Sequence, residues 1–325
     1  MTASWQPSAS ARMLRARAKL LAGIRDYFAQ TGVLEVETPV CSFFGTTDPA
    51  IASLSTPYQD RSQPTGERLY LHTSPEFAMK RLLASGLGSI YQICKVFRDN
   101  ESGRLHNPEF SLLEWYRVGY DHHQLMSDVA ALVLSLLDQS REVEKLSYAE
   151  VFGRYLSLDP HSATPGQLRE CALDHQLPIT ADFQLPDRDA WLDLLMSHSI
   201  EPELGKDGLC FIYDYPASQS SLAQIRAGDP PIAERFELYM DGIELANGFH
   251  ELTDAAEQEQ RFHKDLEKRR ENGLPAIPMD YNLIAALRQG MPACAGVALG
   301  IDRLLMRLTG ARHINEVLAF PIDRA

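Results

Sequence analysis

The sequence contains few cysteines and no arrangement that would link them. The five are Cys41, Cys94, Cys171, Cys210 and Cys294. They are scattered, odd in number and include no CxxC pair, so neither a disulfide framework nor a cysteine-based zinc site is indicated.

Long apolar runs and positive charge are also scarce. No stretch is long and apolar enough to span a membrane. The 31 lysines and arginines are outnumbered by 44 acidic residues, which gives a net charge of −13. Proteins that hold a nucleic-acid backbone usually carry a basic patch, because phosphate neutralisation supplies much of the affinity. The charge balance therefore disfavours RNA as the main partner, although an acidic protein can still bind RNA through a local patch.

The remaining composition is that of a globular enzyme, with 45% hydrophobic and 23% charged residues over 325 positions. The first 25 residues include Arg12, Arg15, Arg17, Lys19 and Arg25 and no acid, which is also the composition of some transit peptides. Apolar residues recur there at helical spacing, however. We therefore predict a folded helix that ends near Gly32 rather than a transit peptide, and we expect a cytoplasmic protein.

One segment, FRDNESGRLHNPEFSLLEWYR at residues 97–117, reads as a hairpin. Strand-like residues 90–97 and 110–116 flank a polar loop at 99–108. Arg98 and His106 would offer donors to a polyanion such as a nucleotide triphosphate, and Phe110 would offer a ring for a base. A solvated surface loop explains these residues alone equally well.

A second hairpin, RFELYMDGIELANGF, covers residues 235–249, with Asp241 and Gly242 as its turn. The predicted pairs are Met240 with Ile243, Leu238 with Leu245, and Phe236 with Asn247. Glu237 and Glu244 then share the opposite face, where like charges repel unless a cation lies between them. A magnesium ion that also binds phosphates suits this pair. Two solvated surface glutamates are the alternative.

Three segments together resemble the class II aminoacyl-tRNA synthetases of the lysyl, aspartyl and asparaginyl group. FRDNESGRLHNPEF resembles motif 2, GVALGIDRLLM at 296–306 resembles motif 3, and residues 15–39, which end LEVETP at Pro39, resemble motif 1. The resemblance implies an α+β catalytic core with a mostly antiparallel β-sheet flanked by helices. It also implies ATP and Mg²⁺ as cofactors and a homodimer formed through motif 1.

The motifs span the chain, so we expect one catalytic domain over residues 1–325 with a helical insertion at about 121–229. About a dozen residues precede the motif 1 helix, and we expect no anticodon-binding domain. Ser74 and Pro75 predict the start of a helix that runs through Leu83. We expect a loop at 41–66, a short strand at 69–72 and a helix at 121–137.

The resemblance also implies roles for individual residues. Arg98 and Arg303 would act in catalysis. The implied ATP-binding residues are Arg98, Asp99, Asn100, His106, Asn107, Phe110, Glu244, Leu245, Gly300 and Arg303. The implied substrate-binding residues are Ser74, Pro75, Glu76, Glu114, Tyr116, Asn247, Phe249, Glu251 and Ala298. The implied metal ligands are Glu237 and Glu244.

Within these sets, some contacts are more specific. Glu76 would hold the amino group nearer the reacting carboxylate, and Glu251 with Tyr116 would hold a distal ammonium. Adenine would lie between Phe110 and Arg303. A buried ammonium requires a paired carboxylate, so two separate carboxylates suit a substrate with two positive charges.

Two departures from the lysyl enzymes bear on the site, the first on the adenosine contact of motif 2 and the second on the choice of amino acid. Asn100 stands where motif 2 usually has glutamate, and Ala298 stands where motif 3 of the lysyl enzymes has glycine. One added methyl group can change discrimination by about 1–3 kcal/mol, which would disfavour α-lysine against an isomer with its amino group moved.

The phrases TSPEFAMKRLL, NPEFSLLEWYR and GIELANGFHELTDA resemble a family of lysyl-tRNA synthetase paralogues, the ligases that attach (R)-β-lysine to elongation factor P. This resemblance implies elongation factor P as partner, (R)-β-lysine as substrate, no tRNA and no membrane. A truncated lysyl-tRNA synthetase that activates α-lysine is the main alternative. A noncatalytic regulatory paralogue and a small-molecule ligase related to asparagine synthetase are further alternatives.

Overall fold

The computed structural model describes residues 5–60, 63–137, 139–180 and 182–325. Its helices are α1 (Ala11–Gln30), α2 (Glu76–Ala84), α3 (His122–Ser135), α4 (Tyr148–Leu156), α5 (Pro165–Asp174), α6 (Arg188–Leu195), α7 (Ala255–Glu271), α8 (Tyr281–Gln289) and α9 (Ile301–Thr309). Its strands are β1 (Leu34–Glu35), β2 (Cys41–Ser42), β3 (Ser55–Asp60), β4 (Gln63–Leu71), β5 (Ile90–Phe97), β6 (Glu109–Val118), β7 (Glu142–Ser147), β8 (Gly208–Pro216), β9 (Ile225–Arg226), β10 (Ile232–Met240), β11 (Ile243–His250) and β12 (Cys294–Gly300). The predicted fold class is confirmed, since a large, mostly antiparallel sheet is flanked by helices.

The chain forms two compact units, one of Met1–Gly119 with Leu252–Ala325 and the other of Tyr120–Glu251. In the first unit the strand order is β1-β5-β6-β12. Strand β1 runs parallel to β5, whereas β5, β6 and β12 are antiparallel neighbours. The predicted motif 2 hairpin is therefore confirmed as β5 and β6.

Helix α1 covers one face of this sheet. Ser10 caps its start, and the chain leaves the helix through Gly32, whose φ of 69° is the left-handed conformation that glycine adopts without strain, as predicted. Phe28 lies on the buried side of the helix, stacks on Tyr91 with ring centres 4.2 Å apart, and meets the edge of Trp115. Tyr91 and Trp115 are paired across β5 and β6. The residues on either side of them in each strand therefore point to the other face.

A buried carboxylate joins the three sequence motifs. Asp302, in the first turn of α9, is 2% exposed. Its Oδ2 accepts the backbone N–H of Ser111 on β6 at 2.7 Å, and its Oδ1 accepts from the guanidinium of Arg17 on α1. Arg17 also donates to the carbonyl of Val317 at 3.0 Å. One side chain thus fixes α1, β6 and α9 to one another.

The second unit has strand order β11-β10-β8-β7, with β9 beside β10 and β7 parallel to β8. Helix α3 packs on β10 and β11, and α4 packs on β7 and β8. Trp191 of α6, Phe152 of α4 and Ile212 of β8 belong to one buried cluster.

Two predictions about secondary structure are wrong in part. The segment 121–229, predicted as helical, also contains β7, β8 and β9. Strand β8 reads GLCFIYDYP, a nearly continuous apolar run that periodicity cannot distinguish from a buried helix. The segment 41–66, predicted as a loop, contains β2, β3 and the start of β4, which form a small antiparallel sheet. Pro57 is accommodated because β3 lies at the edge of that sheet.

Among the described residues, no helix combines the length and the apolar character that crossing a bilayer requires.

The Asp302 contacts predict a large loss of stability on truncation. We expect Asp302→Ala to lower the free energy of unfolding by about 3–5 kcal/mol, because Arg17 is left without its buried counter-charge. Urea unfolding followed by tryptophan fluorescence measures this. Asp323→Ala, at an exposed carboxylate, should change stability by no more than about 0.5 kcal/mol. Equal losses in the two variants would contradict the role given to Asp302.

Candidate active site

The face of the first sheet opposite α1 carries a polar row. Gln92 of β5, Glu114 of β6 and Ala298 of β12 are direct cross-strand partners. Partners that lie opposite each other in antiparallel strands share a face. The Ala298 methyl group and the Glu114 carboxylate therefore project from the same side of neighbouring strands.

Glu114 is the centre of a hydrogen-bond network in this row. It is 2% exposed, and it accepts the hydroxyls of Ser74 at 2.7 Å and Tyr116 at 2.8 Å. Ser74 also accepts the backbone N–H of Glu76 at 3.0 Å. The same serine therefore opens α2, which begins at Glu76, one residue beyond Pro75, and extends to Ala84. A buried carboxylate that accepts two hydroxyls can stay charged at modest cost.

Glu76, predicted to hold a substrate amine, has a partner within its own helix. Lys80 Nζ lies 2.6 Å from Glu76 Oε1, and Lys80 is 1% exposed. The spacing of four residues puts both side chains on the same face of α2. A glutamate and a lysine four residues apart in a predicted helix are visible in the sequence, so this pair could have been predicted.

The motif 2 loop places Arg98 beside Phe110. The centre of the Arg98 guanidinium lies 5.2 Å from the centre of the Phe110 ring. Arg98 also pairs with Glu101 at 3.8 Å and donates to the carbonyl of Thr73 at 3.4 Å. One face of the ring thus already carries a cation.

The backbone conformation explains why asparagine rather than glutamate stands at position 100. The φ of Asn100 is 63°, and its N–H donates to Asp99 Oδ1 at 2.9 Å. Asparagine tolerates the left-handed conformation better than glutamate does. The glutamate that follows, Glu101, is the one that pairs with Arg98.

Arg303 of α9 reaches the motif 2 loop. Its Nη2 lies 2.5 Å from Nε2 of His106, which must accept and is therefore neutral at that nitrogen. Burial and the charge of Arg303 lower the pKa of His106 below 6.5. This contact brings together two of the residues predicted to bind ATP, and their contact with ATP stays a prediction.

The other predicted ATP residues of this unit are held mainly through the backbone. Asn107 donates to the carbonyl of Glu109 at 2.6 Å and accepts the N–H of Ile322 at 3.0 Å. The N–H of Asp99 donates to the carbonyl of Ala52, and Gly300 caps α9. These contacts shape the loop and the helix start around Arg98 and Arg303.

The second hairpin turns at Asp241 and Gly242, and Met240 pairs with Ile243, as predicted. The rest of the predicted register is wrong. A bulge at Leu245 leaves Leu238 opposite Ala246 and Glu237 opposite Asn247. A bulge inserts one extra residue, which alternation alone does not reveal. Glu244 lies opposite Tyr239, so Glu237 and Glu244 do share a face.

Glu237 is surrounded by donors. It accepts the hydroxyls of Tyr215 at 2.7 Å and Tyr239 at 2.5 Å, and it pairs with the Arg235 guanidinium. Arg235 also donates to Asn247 Oδ1 at 3.3 Å. Burial acts to lower the pKa of Arg235, but the charges of Glu237, Tyr215 and Glu244 outweigh it and raise that pKa.

Arg235 is therefore the cation that the two glutamates require, and it belongs to the chain itself. Both oxygens of Glu237 already accept hydrogen bonds, and Oε2 accepts two. A carboxylate so engaged is a poor ligand unless Arg235 moves. The donor set fits magnesium held through Glu244 and substrate phosphates more readily than through Glu237.

The remaining predicted substrate residues lie along the end of β11. Phe249 pairs with Arg235 across the hairpin, so Asn247 and Phe249 lie on the face of Glu237. Glu251 follows β11 and is 1% exposed. The structure brings these residues together along one strand, and their contact with an amino acid stays a prediction.

A cavity of about 380 Å³ opens beside Arg235 and Glu237 within the second unit. It is also lined by Asp193 of α6, by Ser197 and Glu201 just beyond that helix, and by Gln219. Burial raises the pKa of Asp193, against the opposing charge of Arg235. The cavity thus combines apolar side chains such as Leu194 and Met196 with the carboxylates of Asp193, Glu201 and Glu237.

Sequence reasoning missed several residues that shape these sites. Arg235 lies two positions before Glu237 on the same strand face, so alternation could have found it. Tyr215 comes from β8, and only the strand pairing brings it to Glu237. No local sequence pattern predicts that the Tyr215 hydroxyl contacts Glu237.

The comparison with known families agrees with this geometry. The family model described as tRNA synthetases class II (D, K and N) matches residues 3–324. The chain belongs to this family. A class II synthetase domain of this group indicates ATP-dependent activation of an amino acid, and members generally use ATP and Mg²⁺. The face with Glu114, the Arg98–Phe110 pair and Arg303 lie within the matched region.

The His106 contact predicts how this class II domain responds to pH. The pKa of His106 should lie below 6.5, and Arg303→Gln should raise it, because the charged imidazole no longer faces a guanidinium. Proton NMR of the ring across a pH titration measures both values. The exposed His198 serves as the internal control and should not shift. Equal His106 pKa values in the wild type and in Arg303→Gln would contradict the contact.

Proposed function

We propose that this class II protein activates (R)-β-lysine with ATP as the aminoacyl adenylate and transfers it to the ε-amine of a lysine side chain on elongation factor P. The observation that carries the proposal is the row formed by Glu114 and Ala298. The added methyl group lies directly opposite a buried carboxylate, on the face where the lysyl resemblance puts the amino acid.

The candidate substrate residues of each unit include carboxylates, which suits a diamine. In the first unit Glu114 is buried and Glu76, near the start of α2, is 17% exposed, and in the second unit Glu251 is buried at the end of β11. Each desolvated ammonium of the substrate requires such a partner. In the proposed roles, Glu76 binds the amine nearer the carboxylate, and Glu251 binds the other.

ATP would be held by the motif 2 loop and α9. Arg98 and Arg303 present two guanidiniums, and His106 is kept neutral beside Arg303. The substrate carboxylate is already a nucleophile, so the residues contribute alignment and charge neutralisation rather than a base. For adenine to stack on Phe110, Arg98 must leave that ring face or the base must take the other one.

Magnesium, when bound, neutralises phosphate charge and orients the phosphates. Glu244 is the residue we assign to it, with Glu237 joining if Arg235 turns away. Arg235 otherwise stabilises the ionised Glu237 and positions Asn247 through its hydrogen bond.

The acceptor is a part of the proposal that rests on resemblance. The net charge of −13 favours a protein acceptor over the tRNA backbone. A homodimer through α1 and β1 also stays a prediction, and sedimentation equilibrium at micromolar concentration tests it.

The adenylation step is tested by pyrophosphate exchange. With (R)-β-lysine, Arg98→Ala should lower kcat/KM for exchange about 10²–10³-fold, because a charge-stabilising donor is lost. Arg154→Ala removes an exposed arginine that pairs with Glu144, and it should retain activity. Exchange that is absent with lysine isomers but present with another amino acid would overturn the substrate assignment.

The Ala298 methyl group predicts a change of substrate preference. Ala298→Gly should shift the exchange-rate ratio toward α-lysine by about 10-fold or more, since one methyl group in a pocket is worth at least that much. Ala295→Gly is the matched control, because it lies on the same strand but faces the other way. An unchanged ratio in Ala298→Gly would contradict the claim that this methyl group disfavours α-lysine. A wild-type preference for α-lysine would favour the synthetase-like alternative.

A further inference from the structure

A second cluster of titratable side chains lies on the reverse face of the β10–β11 hairpin. It consists of His122 at the start of α3, Glu234 on β10 and His250 at the end of β11. One ligand atom from each residue lies within 4.8 Å of a ligand atom of the other two. Glu234 and His250 alternate along their strands with Arg235 and Phe249, so they face away from the glutamates considered above.

His122 has an incomplete set of hydrogen bonds. It is 1% exposed, and its Nε2 lies 3.2 Å from Asp214 Oδ1. Its Nδ1 is buried and has no hydrogen-bond partner among the described residues. A histidine whose one nitrogen contacts a carboxylate while the other is unpaired has the arrangement of a metal ligand with its supporting carboxylate.

The charges around the cluster permit a cation. Arg226 pairs with Asp214 at 2.7 Å and with Glu234 at 3.0 Å. Two carboxylates and one guanidinium leave one negative charge when the imidazoles are neutral. His250 Nδ1 lies 2.5 Å from Glu234 Oε2, so the two atoms form a hydrogen bond with one proton between them. A cation can replace that proton.

We propose that His122, Glu234 and His250 bind a zinc ion, with Asp214 holding the His122 ring in place. Two imidazoles and one carboxylate suit zinc, whereas magnesium prefers oxygen ligands throughout. The imidazoles bind in their neutral form, and the proton shared by His250 and Glu234 leaves to solvent. Zinc bonds of about 2.0–2.2 Å require the more widely spaced ligand atoms to close around the ion.

Such a site would tie the start of α3 to the end of β11. His250 lies between Phe249 and Glu251 in the sequence, so a bound zinc ion would fix the backbone of this strand end. The proposal does not depend on which amino acid the protein activates.

Zinc binding is measured on the full chain after treatment with a chelator. The protein is dialysed against ZnCl₂, and zinc per chain is determined by mass spectrometry of the element. All samples carry Cys41→Ser, because Cys41 is an exposed thiol that could bind zinc itself. We expect one zinc per chain, a higher thermal midpoint with zinc, and no displacement of zinc by millimolar magnesium.

His250→Gln and Glu234→Gln should each weaken zinc affinity by about 100-fold or more, since the loss of a supporting partner alone costs about 10–100-fold. His198→Gln removes an exposed imidazole elsewhere in the same unit and should bind as the wild type does. Circular dichroism of the metal-free variants checks that they fold. Cobalt gives a second measurement, because the visible absorption of cobalt bound at this site should disappear in His250→Gln. Stoichiometric zinc that is indifferent to His250 and Glu234, displacement by magnesium, or no stoichiometric zinc in the wild type would overturn the proposal.

Discussion

The buried Asp302 carboxylate is the contact on which the first unit of this class II domain depends. It accepts from Arg17 of α1 and from the backbone of Ser111 on β6. Ser111 follows Phe110, and Arg303 follows Asp302, so the same contact fixes the two residues predicted to enclose adenine. A 2% exposed carboxylate persists only with such partners. The same buried contact therefore stabilises the fold of this unit and sets the positions of Phe110 and Arg303.

Three of the acidic candidate residues, two in the first unit and one in the second, are each matched by a donor from their own unit. Glu114 has Ser74 and Tyr116, Glu76 has Lys80, and Glu237 has Arg235. These donors let the carboxylates remain charged before any ligand arrives. Ligand cations must then compete with internal partners, which makes binding sensitive to where the substrate carries its charge. This competition gives a physical reason for an amine position to matter.

The sequence predicts the elements that repeat a simple period. The α1 helix with its Gly32 end, the motif 2 hairpin and the Asp241–Gly242 turn follow from spacing and turn chemistry. The three motif resemblances also place Arg98 and Arg303 in one unit, where the structure brings them to Phe110 and His106.

Other features depend on information that local sequence does not hold. The bulge at Leu245 adds a residue without changing composition, and it moves Asn247 opposite Glu237. The apolar run of β8 is compatible with a buried helix or with a buried strand. Its pairing with β7 and β10 makes it a strand, and that pairing is not visible in the local sequence. Tyr215 reaches Glu237 through strand pairing, whereas Lys80 and Arg235 could have been found from helical and strand periods.

The central claim is that an activated lysine isomer passes to a protein lysine. The most direct measurement is the intact mass of purified elongation factor P after incubation with this protein, Mg-ATP and either (R)-β-lysine or α-lysine. The account predicts a mass gain of one lysyl group, formed faster with the β isomer. No gain with either isomer, while pyrophosphate exchange persists, would contradict the acceptor and return it to tRNA or a small amine.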